Sequence, residues 1–228
     1  MDKPTFNFRT ISFNVRGLNE QKKRRSIFKW LKQKHIDICL LQETYCTTKV
    51  ENIWKNEWGG KIIVSNGTNH ARGVAVLIRP GFDAEIINVI KDDIGRMLLL
   101  ETKVQDTHFK IMNIYAPNTE ASQFHFFHYI KRTLNTYSNP EENIIIGGDF
   151  NINFDKYLDK KGGSTTFTGM HDTIINILND IFSCFQLNDV WRLKHPQIKR
   201  FTWRQKTPPI HSRLDYWLIS SQIHSLTM

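Results

Sequence analysis

Cysteine is scarce in this sequence, with three residues among 228. They form no Cys-x-x-Cys pair, which argues against a disulfide framework and against a structural zinc site. No apolar run approaches the roughly 18 residues of a membrane span, and the first ten residues lack the apolar core of a signal peptide. We therefore expect an intracellular protein that is neither secreted nor embedded in a membrane.

Acidic residues are also in deficit, with 22 Asp and Glu against 31 Lys and Arg, so the net charge is +9. That balance favours a polyanionic partner without identifying one. The chain has no internal repeat and no linker-like tract, and 40% of its residues are hydrophobic. Its length and composition predict one domain over residues 1–228 with a hydrophobic core of its own.

Alternation between period-two and helical patterns predicts many strands and a few helices. Helices are expected over 20–34, 120–137 and 171–184. The stretch 73–115 leaves no room for crossover helices, which argues against a doubly wound parallel sheet. We expect two mostly antiparallel sheets packed face to face with helices outside. The predicted strands are 9–14, 36–41, 61–65, 73–78, 84–90, 97–104, 108–115, 143–146, 200–204 and 214–219, the last two joined by the Pro208-Pro209 turn.

Polar residues stand at the ends of several apolar strands, where packing gives no reason for them. Each alone is compatible with ordinary turn or cap chemistry. Together, converging strand ends would gather carboxylates, amides and a phenol around one hard cation and a phosphate ester. Carboxylates hold Mg²⁺, the ion polarises a phosphoryl oxygen, and neutral donors stabilise the transition state. The residues are Asn14, Glu43, Tyr115, Asn118, Asp149, Asn151 and Asp215.

Six segments in order carry a family resemblance. The sequence resembles the exonuclease–endonuclease–phosphatase superfamily, and most closely the apurinic-endonuclease-like nuclease domain of LINE-type (non-LTR) retrotransposons. Residues 189–196 and 201–204 favour retrotransposons over repair enzymes. The six segments are ISFNVRGLN (11–19), LLQETYC (40–46), GVAVLI (73–78), IMNIYAPN (111–118), IIIGGDFN (144–151) and SRLDYWLIS (212–220).

The resemblance implies an α/β (α+β) four-layer sandwich of the DNase I type. It also implies an enzyme that requires Mg²⁺, for which Mn²⁺ can substitute. It implies an endonuclease that nicks one strand of double-stranded DNA and leaves a 3′-hydroxyl. In such elements that hydroxyl primes reverse transcription by a reverse transcriptase downstream in the same polyprotein. The implied site of action is the nucleus, and we expect the isolated domain to be monomeric.

The resemblance also implies roles for individual residues. Glu43 is expected to be the principal metal ligand, with Asn14 and Asp215 close to the ion. Asp149 and Asn151 are expected to position the attacking water. The expected contacts to the scissile and neighbouring phosphates are Tyr115 and Asn118.

Basic and aromatic residues near these motifs are expected to bind DNA, chiefly through backbone phosphates. The loop 206–213 is expected to enter a groove and to influence which site is cut. The expected DNA-binding residues are Arg16, Arg72, Arg96, Asn118, Trp203, His211 and Arg213.

Two departures from the family pattern keep alternatives open. The family's closing Ser-Asp-His motif is absent before Met228, so we expect a domain truncated before its last strand and inactive without the motif's histidine. A catalytically dead DNA-binding module is one alternative. Ser212 replaces an aromatic residue that clasps abasic sugars in repair relatives, which favours intact, distorted duplex. An abasic-site repair endonuclease is the nearest enzymatic alternative, and a lipid phosphodiesterase has less use for the charge of +9.

Overall fold

The computed structural model describes residues 8–164 and 168–224. Two compact units make up this range, one ending at Tyr115 and the other running from Ala116 to His224. The truncation expected from the sequence concerns the chain beyond His224, which lies outside the described residues. No helix in the described ranges is long and apolar enough to cross a bilayer.

The first unit holds a four-stranded sheet and a three-stranded antiparallel meander. The sheet has the order β1-β2-β4-β3, with β1 and β2 parallel and the other pairs antiparallel. Strands β5, β6 and β7 pair consecutively. The elements are β1 (Thr10–Asn14), α1 (Gln21–Gln33), β2 (Ile38–Gln42), α2 (Thr48–Trp58), β3 (Lys61–Ser65), β4 (Val74–Ile78), β5 (Ala84–Lys91), β6 (Met97–Val104) and β7 (Thr107–Tyr115).

A buried amide pair joins the four-stranded sheet to β7 inside this unit. The Gln42 Nε2 donates to Asn113 Oδ1 over 2.7 Å. The Asn113 Nδ2 then donates to the carbonyls of Leu41 and Ala75, each at 2.9 Å. Because buried amides need partners of fixed geometry, this pair sets the register of one layer against the other. It also fixes the strand end directly before Glu43.

The second unit holds two antiparallel three-stranded sheets and two packed helices. One sheet has the order β10-β13-β8, the other β11-β12-β9, and α3 packs on α4. The elements are α3 (Glu120–Tyr137), β8 (Ile144–Asp149), β9 (Lys160–Lys161), α4 (Gly169–Cys184), β10 (Leu187–Asp189), α5 (Val190–Lys194), β11 (Trp203–Gln205), β12 (Ile210–Ser212), β13 (Asp215–Ser220) and α6 (Ser221–His224).

Three sequence expectations about these elements are wrong. The structure has a helix, α2, where none was predicted. The strand predicted to end at residue 146 continues to Asp149, because β13 pairs with Gly147 and Gly148 and keeps them in the sheet. The last two predicted strands do not form one hairpin. Strand β11 instead pairs with β12, which is too short to show a period-two pattern.

Candidate functional site

Backbone hydrogen bonds tie five chain segments together at one rim of the first unit. These segments follow β1 and β2, precede β4 and β6, and end β7. The predicted residues Asn14, Arg16, Glu43, Arg72, Arg96 and Tyr115 are therefore brought to this rim. The bonds are Gly17 N to Glu43 O (2.6 Å), Tyr45 N to Arg72 O (2.9 Å), Gly73 N to Gly95 O (2.9 Å) and Tyr115 N to Arg96 O (2.8 Å).

The carboxylate of Glu43 is held by neutral donors at this rim. The Asn14 Nδ2 donates to Oε1 over 2.9 Å, and the Tyr45 hydroxyl donates to Oε2 over 3.1 Å. Burial, and then the negative charge of Glu43, raise the pKa of Tyr45, so the phenol remains a donor. Within the described residues no lysine or arginine forms an ion pair with Glu43. The carboxylate is thus oriented without being neutralised.

The backbone at this rim is strained. Arg16, Glu43, Tyr45 and Arg72 have φ angles of 48°, 50°, 58° and 65°. Residues other than glycine seldom adopt this left-handed conformation, which costs of order 1–3 kcal/mol each and persists where surrounding structure imposes it. Strain of this kind clusters at functional sites, so it is a second and independent indication that Glu43 lies in one.

A glycine fixes the tyrosine that orients Glu43. Gly17 has a φ of 84°, and a Cβ atom there would lie 2.7 Å from Cδ2 of the Tyr45 ring. Only glycine allows the backbone to approach the ring this closely. The ring is therefore confined on one side by the segment that follows Asn14, which keeps its hydroxyl directed at Glu43.

Arg96 supports Tyr115. Its guanidinium lies 4.9 Å from the centre of the Tyr115 ring, and its Nη1 donates to the Tyr115 carbonyl over 3.0 Å. Burial lowers the pKa of Arg96, although an arginine remains charged at any ordinary pH. Of the three arginines predicted to contact DNA from this unit, Arg16 is exposed, while Arg72 and Arg96 are half-buried. Arg96 therefore holds a buried phenol in addition to carrying a positive charge.

In the second unit, two predicted carboxylates meet across paired strands. Asp149 at the end of β8 is directly opposite Asp215 at the start of β13. Asn151, with a φ of 50°, donates its backbone N–H to Asp149 Oδ1 over 3.1 Å. The Asn151 side chain donates to the Ala116 carbonyl over 2.8 Å. The Gln123 side chain donates to the Asn151 carbonyl, also over 2.8 Å. Like charges directly opposite destabilise a sheet, so stability alone gives no reason for this pair.

Arg213, which was expected to bind DNA, is buried in the structure. Its residue exposure is 3%, and its guanidinium donates to Asp159 over 2.8 Å and to Asp189 over 2.6 Å. Burial by itself would lower the pKa of Arg213, but the hydrogen bonds to these carboxylates raise it overall. The cation is already engaged inside the unit. Sequence reasoning missed this because Asp159 lies 54 residues away in the chain.

Arg213 instead fixes the segment that carries Asp215. The Arg213 carbonyl accepts from Tyr216 over 2.8 Å and from Asn153 over 3.1 Å. The Thr202 hydroxyl accepts from the backbone N–H of Asp215 over 3.2 Å. The start of β13 is thus held on both sides. Thr202 lies in the segment 201–204 that favoured retrotransposons, but nothing in the sequence indicated its bond to Asp215, and Asn153 belongs to none of the matched segments.

The remaining predicted DNA-binding residues lie in the second unit. Asn118 is exposed just before α3. Trp203 on β11 is directly opposite Ser212 on β12, and Ser212 is buried. His211, expected on a loop, is instead inside β12. These positions leave the predicted DNA contacts of Asn118, Trp203 and His211 as proposals.

The residues around Glu43 fit a magnesium ion. Mg²⁺ prefers oxygen ligands, keeps several waters and is usually held by only one or two carboxylates together with substrate phosphate. Glu43 supplies one such carboxylate. The Asn14 Nδ2 donates to it, and the Asn14 Oδ1, which accepts from the Arg16 backbone N–H over 3.2 Å, is the second oxygen that would face the ion. Among the described residues no group of three or more His, Cys, Asp or Glu is arranged to hold a metal. A site with few protein ligands is the type that this chemistry allows.

Comparison with known proteins identifies a family and a transposon relative. Residues 11–227 match the endonuclease/exonuclease/phosphatase family. A 149 kDa uncharacterized protein of transposon TX1 from Xenopus laevis is 29% identical over 219 residues, which is 94% of this chain. The chain spans only 16% of the length of that relative.

Solved structures share the fold. An AP endonuclease from Archaeoglobus fulgidus superposes with a TM-score of 0.76 at 17% identity, covering 96% of this chain and 89% of the other. An AP endonuclease from Leishmania major gives 0.73 at 16% identity, covering 96% and 80%. At these identities the likeness speaks for the fold alone. It confirms the predicted α/β class, with two mixed sheets flanked by helices.

Proposed function

Because this chain belongs to the endonuclease/exonuclease/phosphatase family, we propose that it is a DNA endonuclease that nicks one strand of a duplex. The observation that carries the proposal is the carboxylate of Glu43, oriented by Asn14 and Tyr45 on strained backbone and not neutralised by a described basic side chain. An oriented, charged carboxylate of this kind serves phosphodiester hydrolysis better than it serves stability. The net charge of +9 suits a nucleic acid.

In the proposed reaction, water oxygen bonds to phosphorus, and the bond from phosphorus to the 3′ oxygen breaks. That oxygen leaves with the bonding electrons and takes a proton from solvent water to become a 3′-hydroxyl, while the phosphate stays on the 5′ end. Mg²⁺ held by Glu43 and Asn14 would supply Lewis acidity toward the phosphate. Asp149, whose Oδ1 is fixed by the Asn151 backbone, accepts the hydrogen bond of the attacking water and takes its proton. The Tyr115 hydroxyl donates to the phosphate oxygen that gains charge.

The biological setting that we propose is retrotransposition. The Xenopus relative is a transposon protein of which this chain matches a small part. On this proposal the 3′-hydroxyl primes reverse transcription at a nuclear target site, by a reverse transcriptase in the same polypeptide. The amino acid sequence alone led to the same expectation.

The proposal is tested by nicking of supercoiled plasmid with Mg²⁺, with Mn²⁺ and with EDTA. For a protein that contains the closing histidine, we expect conversion to the relaxed circle with either metal and none in EDTA. The assay compares this chain with a longer piece of its native polypeptide, because the sequence predicts that the closing histidine is needed. DNA binding without nicking by either protein would instead support a dead binding module.

A second assay separates target nicking from repair. Two duplex oligonucleotides of equal sequence are compared, one intact and one with a single abasic site. We expect similar rates at intact and abasic positions, because buried Ser212 offers no ring to clasp an abasic sugar. A preference of several orders of magnitude for the abasic duplex would show the repair alternative to be correct.

The hairpin formed by β11 and β12 is expected to influence target choice. Its turn, residues 206–209, is exposed and contains Lys206. Replacing these four residues by a turn of equal length and different sequence should change the pattern of nicks on a sequenced plasmid while total nicking stays within a few-fold. An unchanged pattern would show that this turn does not read the groove.

A further inference from the structure

The three-stranded sheet of the second unit has a row of basic side chains. His211 on β12 is directly opposite Lys161 on β9 and also directly opposite Arg204 on β11. Directly opposite residues in antiparallel strands share one face. Lys161, His211 and Arg204 therefore form one row across the sheet, here called the basic row. The adjacent row, on the other face, contains the buried Ser212.

No acidic residue occurs in the strands that carry the basic row. The sequence has no Asp or Glu between Asp159 and Asp172, and none between Asp189 and Asp215. The flanking Asp159 and Asp189 are themselves engaged by Arg213. Lys161 and Arg204 are exposed, and neither forms an ion pair within the described residues. The positive charge of the row is therefore directed to solvent.

Stability gives no reason for this arrangement. Lys161 and Arg204 lie on one face on either side of His211, no acidic side chain of these strands offsets their charges, and the sheet has only two to three residues in each strand. A short sheet with a cationic row across it is favourable when a polyanion lies on that face. Within the proposed function, the polyanion that fits is the DNA backbone, since lysine and arginine are the usual partners of phosphate oxygens.

We propose that the basic row binds the sugar-phosphate backbone of duplex DNA. Strands lie about 4.8 Å apart, so the two outer side chains start about 10 Å apart. Because DNA carries a phosphate at every nucleotide of a strand, a row of this length reaches more than one phosphate. The proposal rests on the proposed function for the identity of its partner.

The test measures binding of a short fluorescent duplex in EDTA across a series of salt concentrations. Each phosphate contact contributes about 0.9 to the slope of log K against log salt. We expect Lys161→Ala with Arg204→Ala to reduce that slope by roughly 1.8 and to weaken binding at every salt concentration. The control is Lys29→Ala with Lys34→Ala, which removes the same charge from exposed positions of helix α1 and its end. The control should leave the slope unchanged.

A third variant tests whether the three residues act as a row. His211→Glu places a carboxylate directly opposite both Lys161 and Arg204, where cross-strand pairing retains the sheet. We expect this single change to weaken duplex binding about as much as the double variant, with no fall in the unfolding midpoint. In the double-variant background the same change should have a much smaller effect. Equal effects in both backgrounds would contradict the row.

The outcomes also separate this proposal from the proposed function. If the wild type nicks plasmid with Mg²⁺ and the slope is the same for wild type and double variant, the basic row is wrong and the nuclease stands. If the slope falls as expected while nothing nicks, the row stands and the nuclease fails. A loss confined to a single-stranded oligonucleotide of equal length would overturn the assignment to duplex.

Discussion

Replacing Glu43 by alanine should reduce plasmid nicking roughly a thousandfold. A metal and its carboxylate contribute several kcal/mol to the stabilisation of a phosphoryl transition state, and each ~1.4 kcal/mol is a factor of ten in rate. The measurement is the initial rate of relaxation of supercoiled plasmid at saturating Mg²⁺. The reference protein is one whose unmutated form nicks the plasmid. Duplex binding in EDTA should be nearly unchanged, because the loss is in the chemical step.

Two further variants separate the charge of Glu43 from its hydrogen bonds. Glu43→Gln keeps the size and an acceptor for Asn14 but removes the charge, so it should be almost as slow as alanine. Tyr45→Phe removes only the 3.1 Å bond to Oε2. We expect it to cost about tenfold, as the loss of one hydrogen bond to a charged group suggests. If Glu43→Gln were as active as wild type, the proposed metal ligand would be wrong.

The sequence could predict where the polar residues of the rim stand. Apolar runs such as Ile38–Leu41 must be buried, and polar residues that follow such a run, as Gln42 and Glu43 do here, indicate that the strand is about to end. The same reasoning placed Asn14 and Asp149 at strand ends, as the structure has them. Their assembly into one catalytic site stays a proposal.

The geometry around those residues could not be predicted. The left-handed backbone at Glu43 and Tyr45 follows from hydrogen bonds to Gly17 and Arg72, which are remote in sequence. Nothing local in the sequence requires it, since neither residue is a glycine. The bond from Tyr45 to Glu43 depends on this unusual backbone. Sequence reasoning therefore identifies the candidate side chain and misses the neighbour that orients it.

Helix α2 shows a different kind of limit. Trp54 and Trp58 have helical i, i+4 spacing and are both buried, so a periodic signal was present. Seven of the eleven residues of this helix are polar or charged, which obscured the apolar stripe. The pairing of β11 with β12 could not be predicted from the sequence for another reason. Strands of three residues are shorter than the pattern that would reveal them.

Replacing Arg213 by alanine should lower the free energy of unfolding by about 3–5 kcal/mol, because it leaves buried carboxylates without their principal cation. Asp159 is fully buried and accepts from Arg213 and, over 2.7 Å, from Arg192. Chemical denaturation monitored by tryptophan fluorescence measures the change. Arg192→Ala is the matched comparison and should cost less, since its side chain is 21% exposed against 4% for Arg213.

Two variants of Arg213, to lysine and to alanine, decide whether this residue is a buried support or a DNA contact. Arg213→Lys keeps the positive charge but cannot donate to Asp159 and Asp189 in the same forked geometry. We expect it to be destabilised, to nick more slowly because Asp215 is no longer held, and to keep the wild-type salt dependence of duplex binding while folded. A phosphate contact predicts the reverse for Arg213→Ala, with normal stability and a salt slope lower by about 0.9. Since Arg213 is enclosed by two carboxylates and the Tyr216 ring, 4.3 Å away, the first result is the one that the structure supports.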